Sequence, residues 1–458
     1  MSRERRSPLT RLALPVFVPS LVWSTGYGAL DPVVVLAALA LGMSQSSASA
    51  LAGASGVVIV ATGPAMGALI SGIGDKRSFI AGTLIAEAAL ALLLAALLAP
   101  RAVWAQGALI AGILALAVSS NLWSLARQAY VAESVPPHWR ARGMSMLGGM
   151  LRLGKMVGPG AGAVAIAWWG LPGSIWFQVV ATAAALGFVL VFTLPSPELL
   201  GDASGDEGAA GASPIDEVGA QAPSAPLPEA SVEPEAPTDV PDGLGAAALD
   251  PVLAQARPVR ERADRRSVLL LATCVLVLAL VRTNRQVVIP LLGTHLGVSN
   301  ELISATFAIS TLLDVAVFYP SGRITDRYGR RAALIPTLLA MGVGFCLLAT
   351  VTSTAWFIAA ACLVGFGNGL GAGIVMTIGA DLSPDVDRSK FLGVWQSLST
   401  IGTVVGPFLV SAIVAVSDVE WATAITGFLG LAGAAWSWFW VPVAYRRIGI
   451  DERGRRLS

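Results

Sequence analysis

"AESVPPHWRARGMSMLGGMLRLGKMVGPGAGA" (132–163) aligns with "ADLSPDVDRSKFLGVWQSLSTIGTVVGPFLVS" (380–411) without a gap. Glu133 falls on Asp381, Arg140 on Arg388, Gly154 on Gly402, and Gly158-Pro159 on Gly406-Pro407. Earlier in each half, "LGMS" (41–44) matches "LGVS" (296–299) and Gly67 matches Gly322. A chain that repeats itself over so long a period is a duplication of one structural unit.

The unit is apolar. Of the 458 residues, 55% are hydrophobic and 13% charged, and the mean hydropathy of +0.71 lies outside the range of soluble globular domains. Apolar runs of about 20 residues, the length at which an α-helix crosses a bilayer, recur along the chain. Their spacing predicts twelve spans, near 11–40, 49–71, 78–99, 103–127, 142–168, 173–194, 268–292, 301–321, 332–351, 355–379, 391–416 and 420–443.

Lys and Arg near span ends favour the cytoplasmic side. "MSRERR" (1–6), "GDKRS" (74–78), "PPHWRARG" (136–143), "VRERADRR" (259–266), "GRITDRYGRR" (322–331), "DVDRSK" (385–390) and "YRRIGIDERGRR" (445–456) fall on one side, whereas the loops of the other carry Arg101 as their sole cation. Both termini are therefore expected in the cytoplasm, in a multi-pass protein of the cytoplasmic or plasma membrane. The first apolar run continues for about 30 residues without an A-x-A cleavage site, so it reads as a span and not as a signal peptide. Cys274, Cys346 and Cys362 lie within spans at no metal-ligand spacing, and packing is their expected role.

Between the halves, "GASPIDEVGAQAPSAPLPEASVEPEAPTDVPDG" (211–243) belongs to a stretch rich in Pro, Ala and acid. Ser196 to Ala256 holds twelve acidic residues and no Lys or Arg. Such composition cannot bury enough surface to offset the cost of ordering a chain. The whole-chain charge of +1 thus hides an acidic linker between two basic halves. The expected organisation is a six-helix bundle over 1–195, a disordered cytoplasmic linker over 196–266, a second six-helix bundle over 267–445 and a basic tail over 446–458. Duplicated transporters place their binding cavity between the repeats at mid-membrane.

At this point the sequence resembles the major facilitator superfamily of secondary transporters, over everything except the linker and tails. "GRITDRYGRR" (322–331) is similar to the family's G-x-x-x-D-R-x-G-R-[RK] signature in the loop after the eighth span. Gly322 and Gly329 permit tight turning. Asp326 can sit at the positive N-terminal end of a neighbouring helix, which by analogy is the fifth span. Arg327, Arg330 and Arg331 can pair with carboxylates such as Glu133 or Asp381, and the resemblance implies a cytoplasmic latch that breaks when the halves rock. The copy in the first half, "GALISGIGDKRS" (67–78), is degraded: Ser71 stands where the aspartate is expected, with Asp75 nearby. "GKMVGPGAG" (154–162), with Gly154, Gly158, Pro159 and Gly162, resembles the fifth-span signature of the family's drug/proton antiporters. Glycines four apart permit close helix approach and Pro159 bends the helix. Gly402, Gly406 and Pro407 repeat the pattern in the eleventh span, and a duplicated packing motif needs no export function.

Ionisable groups at bilayer depth are costly and usually face the bundle interior or a wet cavity. On a wheel of about 100° per residue, Arg152 and Lys155 share a face with Gly148 and Pro159, opposite an apolar stripe. In "LVRTNRQVVIP" (280–290) of the seventh span, Arg282, Arg285 and Gln286 likewise share one face. Facing these cations are Asp31 of the first span and Asp314 of the eighth. Family helix positions put spans 1, 5, 7 and 8 at the interface between the halves and Glu87, in the third, at the periphery. Two readings stay open. The charges neutralise one another as fixed pairs, or Asp31 or Asp314 exchanges a proton while surplus cations attract an anionic substrate, since desolvation and a neighbouring cation act oppositely on a buried carboxyl. Arg127, Asn121, Trp123 and Gln396 are further cavity candidates, and Arg127 could equally pair with Glu133.

The expected function is alternating-access, proton-coupled efflux of a small organic compound, with an anionic one favoured. Proton symport or facilitated uptake is the alternative within transport, and a non-transporting receptor or scaffold the alternative outside it. The chain has no Walker loop, no metal-spaced His/Cys set and no nucleophile with a His partner. Neither enzyme activity, cofactor, metal nor nucleic acid is expected. The partners are the substrate, protons and the bilayer, and the protein is expected to be a monomer.

Overall fold

Backbone amides in hydrocarbon have no water to bond, so an apolar run must satisfy them within its own helix. The computed structural model describes residues 12–135, 137–192, 263–384, 388–453 and 455. The expected linker, apart from 263–266, lies outside the described residues. Among the described residues seven helices precede it: α1 (Val18–Leu30), entered through a π turn at Ala13–Phe17, α2 (Val33–Ala40), α3 (Gln45–Ile73), α4 (Asp75–Leu98), α5 (Ala105–Ser134), α6 (Pro137–Trp169) and α7 (Leu171–Phe192). Seven follow: α8 (Arg265–His295), α9 (Asn300–Tyr328), α10 (Arg330–Leu348), α11 (Thr354–Leu370), α12 (Ile374–Leu382), α13 (Arg388–Val416) and α14 (Val419–Arg447).

Eleven described segments are long and apolar enough to cross a bilayer, α1–α2 and α11–α12 each counting as one. The expected fifth span lies within α6, which is 33 residues long but not among the eleven. Arg152, Lys155 and the surrounding glycines lower its hydropathy.

Two spans are broken at mid-depth. Pro32 has no N–H to donate, and Asp31 turns its own N–H to the Gly28 carbonyl three residues back, at 3.3 Å, so α1 ends and α2 begins anew. "GAG" (371–373) separates α11 from α12, with Gly373 at φ +80°, a conformation a side chain resists. At the start of α8, Asp264 accepts from the backbone N–H and hydroxyl of Ser267 and from Arg447 Nε. The two bonds from Ser267, then Arg447, hold its carboxyl down at about 2. This cap is lost only as pH falls through that value.

Small residues let the helices approach. A Cβ on Gly158 would lie 2.3 Å from the Thr25 carbonyl oxygen and 2.8 Å from the Ala29 nitrogen, and one on Gly154 2.6 Å from Ser24 Cβ, so α6 rests backbone to backbone on α1. Ser24 donates to the Leu151 carbonyl at 2.7 Å along the same seam. Gly402 and Gly406 bring α13 onto α8 in the same way, with Leu276 O and Asn284 Oδ1 each 2.5 Å from the would-be Cβ.

Between the two sets of helices, α3 packs on α13 and α6 on α9. Ser46 donates to the Ser411 carbonyl at 3.0 Å, and Ser411 donates back to the Ser46 carbonyl at 2.9 Å. Gly53 meets Phe408 and Gly56 meets Val404 just below. These contacts seal the face that carries few cations. Towards the basic face the two helices part, and a Cβ added at Gly63, Gly67 or Gly72 of α3, or Gly393 of α13, would meet nothing within 4 Å.

Gly158→Ala should lower the melting temperature of the purified protein by several degrees, on the order of 2 kcal/mol of overpacking against backbone that cannot move aside. Gly160→Ala, whose nearest neighbour would be Ala308 Cβ at 3.7 Å, should leave it unchanged. Equal melting curves for the two variants would refute the packing role of Gly158.

Candidate functional site

A cavity of about 500 Å³ lies between the two sets of helices at the depth of both breaks. Asp31 enters it from the α1–α2 break, Arg152 and Lys155 from α6, Arg282, Arg285 and Gln286 from α8, Asp314 from α9, and Asn368 from the end of α11. The structure therefore gathers in one place the charged residues that the sequence put on separate spans.

Asp314 is held on two sides. Arg285 Nη1 lies 3.4 Å from its Oδ2, and Asn368 Nδ2 donates to the same oxygen at 2.5 Å. Arg285 is almost fully buried; its other terminal nitrogen donates to Thr311 Oγ1 at 2.6 Å, and its guanidinium stacks over Phe307. Arg282 serves the broken helix. Its Nη2 donates to the carbonyls of Asn368 at 3.3 Å, in the last turn of α11, and of Gly371 at 2.8 Å, which also accepts from the Ile374 N–H at 3.3 Å. A cation there also complements the negative end of the helix dipole. A Cβ on Gly371 would lie 2.7 Å from that nitrogen, so the contact needs glycine. Arg282 Nε, Arg285 Nε and Asn368 Oδ1 are buried without a partner, so the network is not fully satisfied in this conformation.

Arg152 and Lys155 are different. Both are exposed to the cavity, and neither makes a hydrogen bond or ion pair among the described residues. Arg152 stacks over Phe318 at 4.0 Å and Lys155 stands 5.7 Å from the centre of the Tyr27 ring. Asp31 likewise has no ion-pair partner within 4.0 Å, although Lys155 and Arg285 are the cations whose charge reaches it. Gly28, three residues earlier, lets α1 approach Lys155, whose Cα would lie 3.1 Å from an added Cβ. Asp31, Thr283 and Gln286 also line a smaller cavity of about 100 Å³ on the sealed side.

Four cavity candidates are corrected by their position. Arg127 is buried in the first set of helices, stacked over Trp23 at 5.0 Å, and does not pair with Glu133. Trp123 stacks on Trp23 and donates to Thr83 at 3.2 Å; Asn121 donates to the Ile59 carbonyl and to Thr62. Their faces turn into the bundle. Gln396 is exposed outside the lining, although its carbonyl accepts from Ser399 and Thr400. Glu87 is half-buried on α4 with one oxygen unpartnered. Sequence reasoning missed Phe307, Thr311 and Phe318; the glycines of 367–373 were the available sign of a break.

On the basic face, Arg330 forms a two-pronged bond to Asp381 at 2.8 and 3.1 Å, and the Tyr445 hydroxyl donates to the same carboxylate at 2.9 Å. This ties α10, α12 and α14 together and does not bridge the two sets. Arg331 lies over Trp438 and 3.8 Å from Glu452, while Arg327 lies over Tyr328. Gly329 turns at φ +94° against the Glu452 carbonyl, and Gly322 faces open space. Asp326 and Glu133 are exposed and make no ion pair among the described residues. Of the expected latch pairs, Arg330 with Asp381 forms within the second set of helices, and among the described residues Glu133 makes no ion pair with Arg327, Arg330 or Arg331.

A family model described as the Major Facilitator Superfamily matches residues 17–256 and 271–457. The bacillibactin exporter of Bacillus subtilis (strain 168) is 27% identical over 151 residues, which is 31% of this chain and 38% of that protein. The class C tetracycline resistance protein of Escherichia coli is 28% identical over 116 residues, 25% of this chain and 27% of its own. The chain thus spans less than half the length of these curated relatives. Among solved structures, a POT family transporter in complex with 5-aminolevulinic acid has a TM-score of 0.66 at 12% identity, covering 96% of each chain. A D-xylose-proton symporter has a TM-score of 0.65 at 14% identity, over 98% of this chain and 100% of that one. These likenesses speak for the fold alone.

The geometry separates a clasp from free charges, and thermal melts test it. Arg285→Met and Asp314→Asn should each destabilise the protein by about 3 kcal/mol, the cost of leaving a buried charge unpaired, and the double variant should recover at least half of the loss. Arg152→Gln should melt like the parent. Additive losses from the pair would overturn the coupling.

Proposed function

The chain belongs to the Major Facilitator Superfamily, and we propose that within this family of membrane transporters it carries a small organic anion together with a proton by alternating access. The observation that carries the reading is the pair Arg152 and Lys155, open to the cavity without carboxylate partners. Four cations and two carboxylates line the space, and two of the cations are engaged, one by Asp314 and one by the α11 carbonyls. The surplus positive charge attracts an anion, and low-dielectric walls strengthen that attraction.

The basic face is assigned to the cytoplasm by the bias of Lys and Arg. The cavity then faces inward, and the Ser46–Ser411 seal is the outer gate. Asp31 is the proton site. It stands at a helix break, at the boundary of both cavities, with Lys155 and Arg285 as the cations whose charge reaches it. Protonating Asp31 removes its competition for Lys155, so proton and anion favour each other's binding, and such reciprocal coupling is the thermodynamic basis of symport. The names of the two relatives above, an exporter and a resistance protein, support the second reading, proton-driven export. For export the gate must isolate Asp31 from the substrate in one conformation.

A thermal-shift panel of small carboxylates and phosphonates identifies a ligand, and proteoliposome flux then assigns the mode. Acid outside should speed uptake of the external anion; if it speeds efflux of preloaded anion instead, the protein is an antiporter. Asp31→Asn should abolish the response to pH while retaining anion exchange, and unchanged pH-driven flux would remove Asp31 from the mechanism. Lys155→Gln or Arg152→Gln should raise the KM for the anion about tenfold, the loss of one charge-assisted contact.

A further inference from the structure

The smaller cavity begins where the larger one ends. Asp31, Thr283 and Gln286 form a shared wall, and beyond it about 100 Å³ lies among α1, α2, α3, α5, α8 and α13, beside the contacts of Gly53 with Phe408 and Gly56 with Val404. Nine of its fourteen lining residues are apolar, and three of the five polar ones are the shared wall itself. Beyond that wall, Val34, Ala52, Ile113, Leu116, Ala117 and Val287 supply the apolar surface, with Tyr27 and Ser55 as the polar residues among them. An apolar cavity somewhat larger than this takes benzene, so a branched alkyl group or a small ring is of the right scale.

We propose that this cavity receives the apolar end of the transported anion, whose charged end lies between Arg152 and Lys155. The inference rests on the anion reading above and narrows its substrate class to compact amphiphilic anions, with one strong negative group and a hydrophobic end of about four to seven carbons. The small cavity also touches α3 and α13, the helices of the outer gate, so the apolar group reaches the contacts that must separate when the transporter turns outward. A purely hydrophilic anion would leave that end empty and make no contact with the gate.

Isothermal titration of the detergent-solubilised full chain with methylphosphonate and benzylphosphonate tests this. Benzylphosphonate should bind at least about tenfold tighter, as burial of several carbons implies. Ala52→Leu and Ala117→Leu, which fill the cavity, should bring that ratio close to one while methylphosphonate binding stays within twofold. Leu116→Ala, which enlarges it, should shift the preference towards naphthylmethylphosphonate, and this outcome does not depend on either filling variant folding. An unchanged ratio in the filled variants, or no advantage for benzylphosphonate in the parent chain, would overturn the proposal. If neither phosphonate binds the parent chain, the anion reading itself falls and takes this proposal with it.

Discussion

Asp314 and the two arginines of α8 hold together the middle of this molecule. At the depth of a bilayer neither an isolated charge nor an unpaired carbonyl is tolerated at low cost, and this cluster settles both at once. Arg285 and Asn368 neutralise and orient Asp314, while Arg282 donates to the Asn368 and Gly371 carbonyls at the α11–α12 break. The break can exist because a cation on another helix caps it, and the cation can be buried because the break supplies acceptors.

The other break has no such clasp. Pro32 interrupts the first span and leaves Asp31 on the wall between two cavities, its side chain without a hydrogen-bond or ion-pair partner among the described residues. One half of the cavity is therefore fixed by paired charges and the other holds free ones. A rigid charged wall facing a responsive one suits a carrier, which must hold its substrate in a defined place and still change its affinity.

The glycines show how a motif's function can be misassigned. Gly154 and Gly158 resemble an antiporter signature, yet in the structure they bring α6 onto α1, and Gly402 and Gly406 do the same for α13 on α8. Their spacing answers to helix packing within each set and is neutral about the direction of transport. For the arginines of 322–331 the sequence offers Glu133 or Asp381 as partners. Arg330 serves Asp381, its counterpart by duplication of Glu133, but within its own set of helices.

Sequence alone determined the helical membrane-spanning architecture, its duplication and the list of midspan charges, because hydropathy period, repeat spacing and the cost of a buried charge are local properties. Facing on a single helix was legible too, and Arg152, Lys155, Arg282, Arg285 and Gln286 line one cavity. What only the tertiary structure decided was which charges are engaged. Arg282 is separated by 89 residues from the Gly371 carbonyl, and Arg285 by 29 from Asp314, so no local pattern encodes those partners. Arg127, Asn121 and Trp123 carry the same chemistry as the cavity residues, and only the rotation of α5 against its neighbours turns them inward to Trp23, Thr62 and Thr83. A side chain's partner depends on how whole helices pack, and that is set by the sum of all their contacts at once.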